Sequence, residues 1–340
     1  MVQHSPDLFV SQSLPVVKSD NAFNFIRLCC CLIVIYDHCG GGEPFPFFAV
    51  GIFFIISGFW VTRSLLASGS LKSYFLKRIK KIFPLYYIVL FSFALLSFFF
   101  TELSAPQYFL CKEFFKYLIT NSITLNFLCP SLPGAFGGRA VNGSLWTIKI
   151  EVGFYVVLPA LIFLMKKLTC SRKNICCCNI FLAGLYILCA LAKCAVDICV
   201  SHFNLHHSFS NQLPSLMPFF VSGMICFFNY DFIFKHQRKL ILPATVVLVL
   251  HHLHLPVGFL TPLALSLAVF FLAFNLKPFN GFGKSTDYSY AMYLVHFPLI
   301  RMTGETDMFS RHPLFAITCV IGVSFMAAYI LENFVQKKIK

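Results

Sequence analysis

Two ionisable side chains lie within the first long apolar stretch of the chain, residues 21–38. Arg27 and His38 are eleven residues apart, which is close to three whole turns of an α-helix. A helix would therefore present both side chains on one face, about 16 Å apart along its axis at 1.5 Å per residue. Because a charge in the hydrocarbon layer needs polar surroundings or a partner, this spacing predicts a polar stripe that lines a cavity. The alternative is an arginine that snorkels to the inner interface and a histidine at the outer end of a span.

Two further ionisable residues fall inside later apolar stretches. Glu151 lies about two turns into one of them, where a lone carboxylate must be protonated, paired or turned toward a cavity. Arg27 or a residue on another helix would be its partner. His296 lies in the middle of another stretch, with Tyr290 and Tyr293 close by. This pattern fits a core histidine bonded to a neighbouring hydroxyl and a functional histidine equally well.

A cluster of basic residues precedes the third apolar stretch. Arg78 and Lys81 are three residues apart and so share a helix face, and Lys80 lies between them. Anchoring of positive charge on the inner side accounts for Lys72 and Lys77. Three cations directly before an apolar helix also suit a phosphate-rich ligand. Arg78, Lys80 and Lys81 are therefore candidates for phosphate binding.

The composition is that of a polytopic membrane protein. Of the 340 residues 58% are hydrophobic and 12% are charged, whereas a soluble domain is nearer half apolar and a quarter charged. Stretches of about 20 mostly apolar residues can span a bilayer, and they predict an all-α transmembrane helix bundle. The ten predicted spans are residues 22–38, 47–66, 82–101, 144–165, 179–199, 212–229, 239–253, 257–276, 286–302 and 313–334.

No low-complexity linker divides these spans, so we expect a single integral-membrane domain over residues 1–340. Residues 1–20 are polar and are predicted to form a cytoplasmic N-terminal tail. Residues 118–129 are too short to span alone. They are predicted to be a re-entrant or interfacial piece of the loop 102–143.

Lysine and arginine are concentrated in the connections that follow the even-numbered spans. This asymmetry predicts that both termini are cytoplasmic, with Arg27 toward the cytoplasm and His38 toward the outer face. Attraction to anionic lipid accounts for most of the net charge of +14, so no nucleic-acid partner is expected. The opposite connections carry few basic residues, namely Lys112, Lys116, Arg139, Arg301 and Arg311.

Histidine and cysteine patterns do not predict a metal site. The 15 cysteines show no paired CxxC spacing and are expected to be reduced apolar fillers. The histidines near outer ends lack an evident carboxylate to orient them. These histidines are His202, His206, His207, His251, His252 and His254.

Several motifs follow one another along the chain. They are Arg27-x10-His38, GIFFIISGF (51–59), KRIKKIFPLYY (77–87), SLWTIKIEVGFY (144–155), YSYAMYLVHFPL (288–299) and Glu332. This ordered set resembles the acyltransferase-3 family of integral-membrane acyltransferases, and the resemblance covers nearly the whole chain. The family includes bacterial enzymes that O-acetylate lipopolysaccharide O-antigen, exopolysaccharide and other glycans.

The resemblance implies a bacterial inner-membrane enzyme with acetyl-CoA as the donor, approached from the cytoplasm, and a glycan or lipid-linked glycan as the acceptor. Arg27 and His38 match the family's Arg-x10-His pair, whose histidine is regarded as catalytic. Arg78 matches the first arginine of an Arg-x-x-Arg motif, and Lys81 replaces the second, which keeps the charge but loses bidentate geometry. Glu151 matches the acidic residue after the SLW motif.

Acyl transfer from a thioester requires a base for the acceptor hydroxyl, and an imidazole has a suitable pKa. We therefore predict His38 as the general base or as a transient acetyl carrier, with His296 as the competing candidate. Arg27 and Glu151 would orient the site and stabilise charge, and the basic cluster would hold the donor phosphates.

Two other classes of protein compete with the enzyme. A transporter or flippase would line its pathway with charges near the midplane, but no inverted repeat is visible and the basic cluster lies on one side only. A scaffold or assembly partner would leave Arg27, His38 and Glu151 unexplained.

Overall fold

The computed structural model describes five stretches of the chain, residues 14–41, 45–169, 175–205, 209–284 and 286–339. These residues are mostly helical and form no β-strand among themselves, which confirms the predicted all-α fold. In a bilayer every backbone polar group must be bonded within its own segment, so long apolar stretches fold as helices. Most of the predicted N-terminal tail, residues 1–13, lies outside the described residues.

The helices follow the apolar stretches, and short 3-10 or π-helical turns join several of them. Their bounds are α1 (Phe23–Tyr36), α2 (Phe45–Leu66), α3 (Leu71–Leu96), α4 (Ala105–Phe109), α5 (Lys112–Ser122), α6 (Trp146–Leu168), α7 (Ile175–His202), α8 (Leu213–Phe228), α9 (Tyr230–His252), α10 (Thr261–Asn275), α11 (Ser289–Gly304), α12 (Met308–Arg311), α13 (Pro313–Leu331) and α14 (Lys337–Ile339).

Seven helical segments within the described residues are long and apolar enough to cross a membrane, or up to eight if the bent pair α8 and α9 forms one span. That pair bends by 107° at Asn229, the last residue of the predicted sixth span. The predicted ninth span, α11, has 16 residues, fewer than the about 20 that cross the hydrocarbon core. By length and composition the chain is an integral-membrane protein. The count of ten spans and the cytoplasmic position of both termini stay predictions.

The described chain divides into two compact units whose sequences interleave. Unit 1 takes its described residues from Met1–Ile26, Val50–Leu76 and Ile150–Phe282. Unit 2 takes them from Arg27–Ala49, Lys77–Lys149 and Gly283–Lys340. The single domain over residues 1–340 stays a prediction.

Close packing of α2 against α8 forms part of the core of unit 1. A Cβ atom on Gly58 would lie 2.1 Å from the carbonyl oxygen of Phe220, and one on Gly223 would lie 2.1 Å from that of Ile55. Two helix backbones approach this closely only where no side chain intervenes. Gly58 is therefore a packing residue.

In unit 2 the central element is α11, which packs along α13. The Tyr290 hydroxyl on α11 donates to the Ile82 carbonyl of α3 at 3.1 Å. Asn142, before α6, donates from its side chain to the Leu294 carbonyl at 2.9 Å. These side-chain bonds to the backbone hold α11 against α3 and against the segment that leads into α6.

Residues 118–129 contain the end of α5 and a 3-10 turn. They pack against α3, since the Tyr86 hydroxyl donates to the Asn121 carbonyl at 2.7 Å. The Asn121 side chain donates to the Cys129 carbonyl at 2.9 Å, which ties the two ends of the turn together. The segment is thus folded onto unit 2, and its position relative to a bilayer stays a prediction.

Candidate active site

The two predicted catalytic histidines meet in unit 2. His38 Nδ1 lies 2.8 Å from His296 Nε2, and the two rings are almost parallel, with an interplanar angle of 3°. Phe297 packs edge-on against His38, with 5.0 Å between ring centroids. His296 is fully buried and His38 is partly exposed. The residues that the sequence presented as competitors therefore form one hydrogen-bonded pair, and the partner of His296 is an imidazole rather than a tyrosine hydroxyl.

The backbone around His38 departs from the continuous α-helix that the spacing assumed. Helix α1 ends at Tyr36, and Asp37–Gly41 form a π-helical turn in which Gly40 has a φ of 101°. Glycine adopts this left-handed region readily because it lacks a Cβ atom. A π-turn has more residues per turn than an α-helix, so it changes the direction of the His38 side chain relative to the α-helical prediction.

Arg27 is held by a carboxylate that sequence reasoning missed. Arg27 Nη1 lies 2.8 Å from Asp287 Oδ2, and both side chains are about one-fifth exposed, at 19% and 22%. Asp287 also accepts bonds from the backbone N–H of Ser289 at 3.0 Å and from its hydroxyl at 2.6 Å. The arginine is thus paired within the protein. The available signal was an acidic residue at the start of the predicted ninth span, on the side to which Arg27 was assigned.

The two pairs fix the register of α1 against α11. Arg27 meets Asp287 and His38 meets His296, so the two segments run in the same direction along the site. The α-helical part of this path, from Arg27 to Tyr36, rises about 14 Å at 1.5 Å per residue, and the π-turn that follows contains His38. The polar stripe predicted for α1 therefore faces the polar residues of the α11 segment.

Glu151 lies in unit 1, where hydroxyl groups hold its carboxylate. Ser57 Oγ on α2 donates to Glu151 Oε1 at 3.0 Å, and the Tyr155 hydroxyl donates to the same oxygen at 2.5 Å. The Glu151 carboxylate therefore accepts hydrogen bonds from its own helix and from α2. The partner on another helix that Glu151 was expected to need is thus Ser57, which the sequence analysis did not assign to it.

The basic cluster lies on α3 in unit 2. Arg78 and Lys81 are partly buried and Lys80 is exposed, as expected for residues three apart on one face. Gln336 Nε2 donates to the Lys80 carbonyl at 2.9 Å, which fixes this turn of α3. The Tyr290 hydroxyl, three residues after Asp287, donates to the carbonyl of Ile82, the residue after Lys81, at 3.1 Å. The basic cluster and the Arg27–Asp287 pair therefore lie at the same end of unit 2.

A pocket of about 250 Å³ opens beside the histidine pair. His38 lines it together with Arg139, Arg301 and Phe309, and Gly40 and Gly304 contribute backbone. Pockets for whole drug-sized ligands are usually larger, at about 300–1,000 Å³. The cavity beside His38 thus has the size for part of a larger ligand, such as one sugar ring.

Among the described residues, no three His, Cys, Asp or Glu side chains are grouped so as to hold a metal ion. His206 and His207 lie outside the described residues. The expectation that no metal is bound stays a prediction.

Comparisons with known proteins place the chain in a family. A family model described as an acyltransferase domain matches residues 20–332. Nodulation protein 10 of Rhizobium leguminosarum bv. viciae is 29% identical over 167 residues, which are 43% of this chain and 45% of that protein. The O-acetyl transferase of Shigella phage Sf6 is 27% identical over 168 residues, which are 44% of this chain and 48% of that protein.

The chain spans about half the length of the curated relatives it matches. No solved structure matches it. Since the family model covers most of the sequence, the chain belongs to the acyltransferase-3 family.

Proposed function

We propose that this chain is a membrane-bound O-acyltransferase that moves an acetyl group from acetyl-CoA to a hydroxyl of a cell-surface glycan. Family membership supports acyl transfer, and the name of the phage relative supports transfer to oxygen. The observation that carries the proposal is the hydrogen bond between His38 and His296 beside a pocket. It combines a partly exposed imidazole with a buried partner that orients it.

The contact with His296 engages Nδ1 of His38, so Nε2 is the nitrogen that is left to act as a base. When Nδ1 carries the proton, His38 donates to His296 Nε2, and its own Nε2 keeps a lone pair. When Nε2 then takes a proton from a hydroxyl, the imidazolium still donates from Nδ1 to neutral His296. His296 is therefore a positioning residue: it fixes the tautomer and the ring plane of His38, as the third member of a catalytic triad does.

In the proposed reaction, His38 carries one proton from the acceptor hydroxyl to the CoA sulfur. The acceptor O–H gives its proton to His38 Nε2, and its oxygen attacks the thioester carbonyl carbon. The C–S bond then breaks, the CoA sulfur takes the proton from His38, and an acetyl ester remains on the acceptor. An attack by Nε2 itself on the thioester would make His38 an acetyl carrier, and the same tautomer serves that route.

The donor would bind with its phosphates at the basic cluster. Arg78 and Lys81 present cations on one face of α3 and Lys80 is exposed beside them, which fits phosphate groups. Because this end of unit 2 also holds the Arg27–Asp287 pair, the pantetheine arm would run along α1 toward His38. The α-helical part of this path, from Arg27 to Tyr36, rises about 14 Å at 1.5 Å per residue.

The two remaining candidates have roles that their contacts support. Arg27 keeps its charge because Asp287 pairs with it, and we assign it to orienting the site. Glu151 accepts hydrogen bonds from two hydroxyls in unit 1, and we assign it to stabilising charge. Neither is assigned a proton transfer.

Thioester cleavage by purified protein in nanodiscs tests the proposal and separates it from transport. Acetyl-CoA binding is measured first, and CoA thiol release and acetyl-ester formation are then followed with an extract of membrane glycans as acceptor. Wild-type protein should bind the donor, release thiol and form the ester. His38→Ala should bind but not release. Binding by the wild-type protein without thiol release or ester formation would favour a transporter over a transferase.

Donor binding is tested on the same preparation with two variants of α3. Arg78→Ala should weaken acetyl-CoA binding about tenfold or more, because a hydrogen bond to a charged group contributes about 1.5–3 kcal/mol. Lys72→Ala removes a cation from the same helix at an exposed position and should leave binding unchanged. Equal binding by both variants would make the cluster an orientation signal only.

A further inference from the structure

Two arginines line the pocket beside His38, and one of them is held in a fixed plane. Arg301 Nε donates to the Ala140 carbonyl at 3.1 Å, and the guanidinium lies over the Phe297 ring at 4.9 Å from its centroid. Within the described part of the chain, its two Nη groups have no hydrogen-bond partner. The guanidinium of Arg301 is therefore oriented by one carbonyl and one ring, with its outer N–H groups left for a ligand.

The second arginine, Arg139, follows a turn whose backbone has several positive φ angles. Phe136, Gly137 and Gly138 all have positive φ, of 52°, 61° and 75°, and Phe136 is buried. A non-glycine residue in this region is strained and persists only where its surroundings hold it. Arg139 Nε donates to the Phe136 carbonyl at 2.9 Å, and its guanidinium pairs with Glu305. The strained turn thus sets the position of the Arg139 side chain.

Only one of the two pocket arginines has a carboxylate partner among the described residues. Glu305 pairs with Arg139, whereas Arg301 forms no salt bridge in this part of the chain and is bonded to a carbonyl. On the predicted topology these arginines lie at the outer face, where anchoring of positive charge does not require them. Anchoring of positive charge on the inner side therefore does not explain Arg139 and Arg301, although it suffices for many of the lysines.

We infer that this pocket binds an oxyanion of the acceptor. A guanidinium with free N–H groups recognises the two oxygens of a carboxylate or phosphate. Because His38 lines the same pocket, an anion on Arg301 places a neighbouring hydroxyl within reach of the base. This inference rests on the proposed function and defines its acceptor, a glycan that carries a carboxylate or a phosphate near the acetylated hydroxyl.

Equilibrium binding of four probes to the purified full-length chain in nanodiscs tests the inference without turnover. Octyl glucuronide and octyl glucoside differ by a carboxylate, and geranyl phosphate and geraniol differ by a phosphate. The anionic member of at least one pair should bind about tenfold or more tightly, as expected for charge-assisted hydrogen bonds. Preference for the glucuronide assigns an acidic sugar, and preference for the phosphate assigns a phosphate-linked carrier. Equal affinity within both pairs overturns the inference.

Three variants locate the site. Arg301→Gln should abolish the preference for the anion. Arg311→Gln is the matched control, because Arg311 is exposed, pairs with Asp307 at 2.6 Å and does not line the pocket. Glu305→Gln should strengthen anion binding severalfold, because it releases Arg139 from its carboxylate partner. An unchanged preference in Arg301→Gln, or no gain in Glu305→Gln, overturns the inference.

Failure of this inference can be told apart from failure of the proposed function. Probe binding is measured without acetyl-CoA, and thiol release from acetyl-CoA is measured with the glycan extract. Thiol release with equal probe affinities rejects only the anion site. Anion preference without thiol release or ester formation rejects the transferase and retains the site.

Discussion

Replacing His296 tests whether it acts through His38. His296→Leu removes the acceptor of the His38 Nδ1 bond and keeps an apolar side chain at a fully buried position. Leaving a buried donor unbonded costs about 1–3 kcal/mol, and each 1.36 kcal/mol on the barrier changes a rate about tenfold. The transfer rate should therefore fall roughly 5–150-fold if the whole penalty appears in the transition state. His38→Ala removes the base itself and should cost about 10²–10⁴-fold.

His296→Gln is the matched control, since its amide oxygen can accept the same bond from Nδ1 of His38. It should stay within about tenfold of the wild-type rate, because the lost energy is at most that of one neutral hydrogen bond, about 0.5–1.5 kcal/mol. The assay is the initial rate of acetyl-ester formation from radiolabelled acetyl-CoA. Equal amounts of monodisperse protein are compared, so that loss of folded protein is not read as loss of rate.

A double variant decides between a joint and an independent role. His38→Ala combined with His296→Leu should be no slower than His38→Ala alone, because residues that act as a unit are not additive. A wild-type rate in His296→Leu, or losses that multiply in the double variant, would refute the assignment of His296 as the residue that positions His38.

Three further outcomes are expected. Gly58→Ala should reduce the yield of monodisperse protein in size-exclusion chromatography, because a Cβ would meet a carbonyl oxygen at 2.1 Å, whereas Gly184→Ala, with open space around it, should not. Asp287→Asn should lower the thermal midpoint of unfolding in detergent, since it removes a charged bond worth about 1.5–3 kcal/mol. Adding Arg27→Gln to this variant should restore part of the lost midpoint. No recovery would argue against the Arg27–Asp287 pair. A reporter fused at Thr306 should score outside the cytoplasm, and a cytoplasmic score would reject the predicted orientation.

The fold class and the identity of the main residues could be predicted because they depend on local pattern. Apolar stretches of span length predict helices whatever surrounds them, and Arg27 and His38 are conspicuous because charged or ionisable groups are rare in such stretches. The basic character of the Arg78–Lys81 turn could likewise be recognised from neighbouring residues alone.

The pairings could not be predicted, because they depend on the register between segments far apart in sequence. His38 and His296 are 258 positions apart, and nothing in either stretch specifies that the two rings meet. Asp287 lies at the start of the predicted ninth span and was missed because its pairing with Arg27, far away in sequence, is not visible in the local pattern. The π-helical turn at Asp37–Gly41 was also not predicted. The eleven-residue spacing placed Arg27 and His38 on one helix face only on the assumption of a regular α-helix.

O-acetylation of the extracted cell-surface glycan tests the central claim most directly. The native host would express wild-type protein, His38→Ala or His38→Gln at matched membrane abundance, and ester-linked acetate on the glycan would be quantified. We predict acetyl esters with wild type and none above background with either variant, because neither alanine nor an amide can take a proton near pH 7. Near-normal acetylation by His38→Ala would contradict the assignment of His38 as the base.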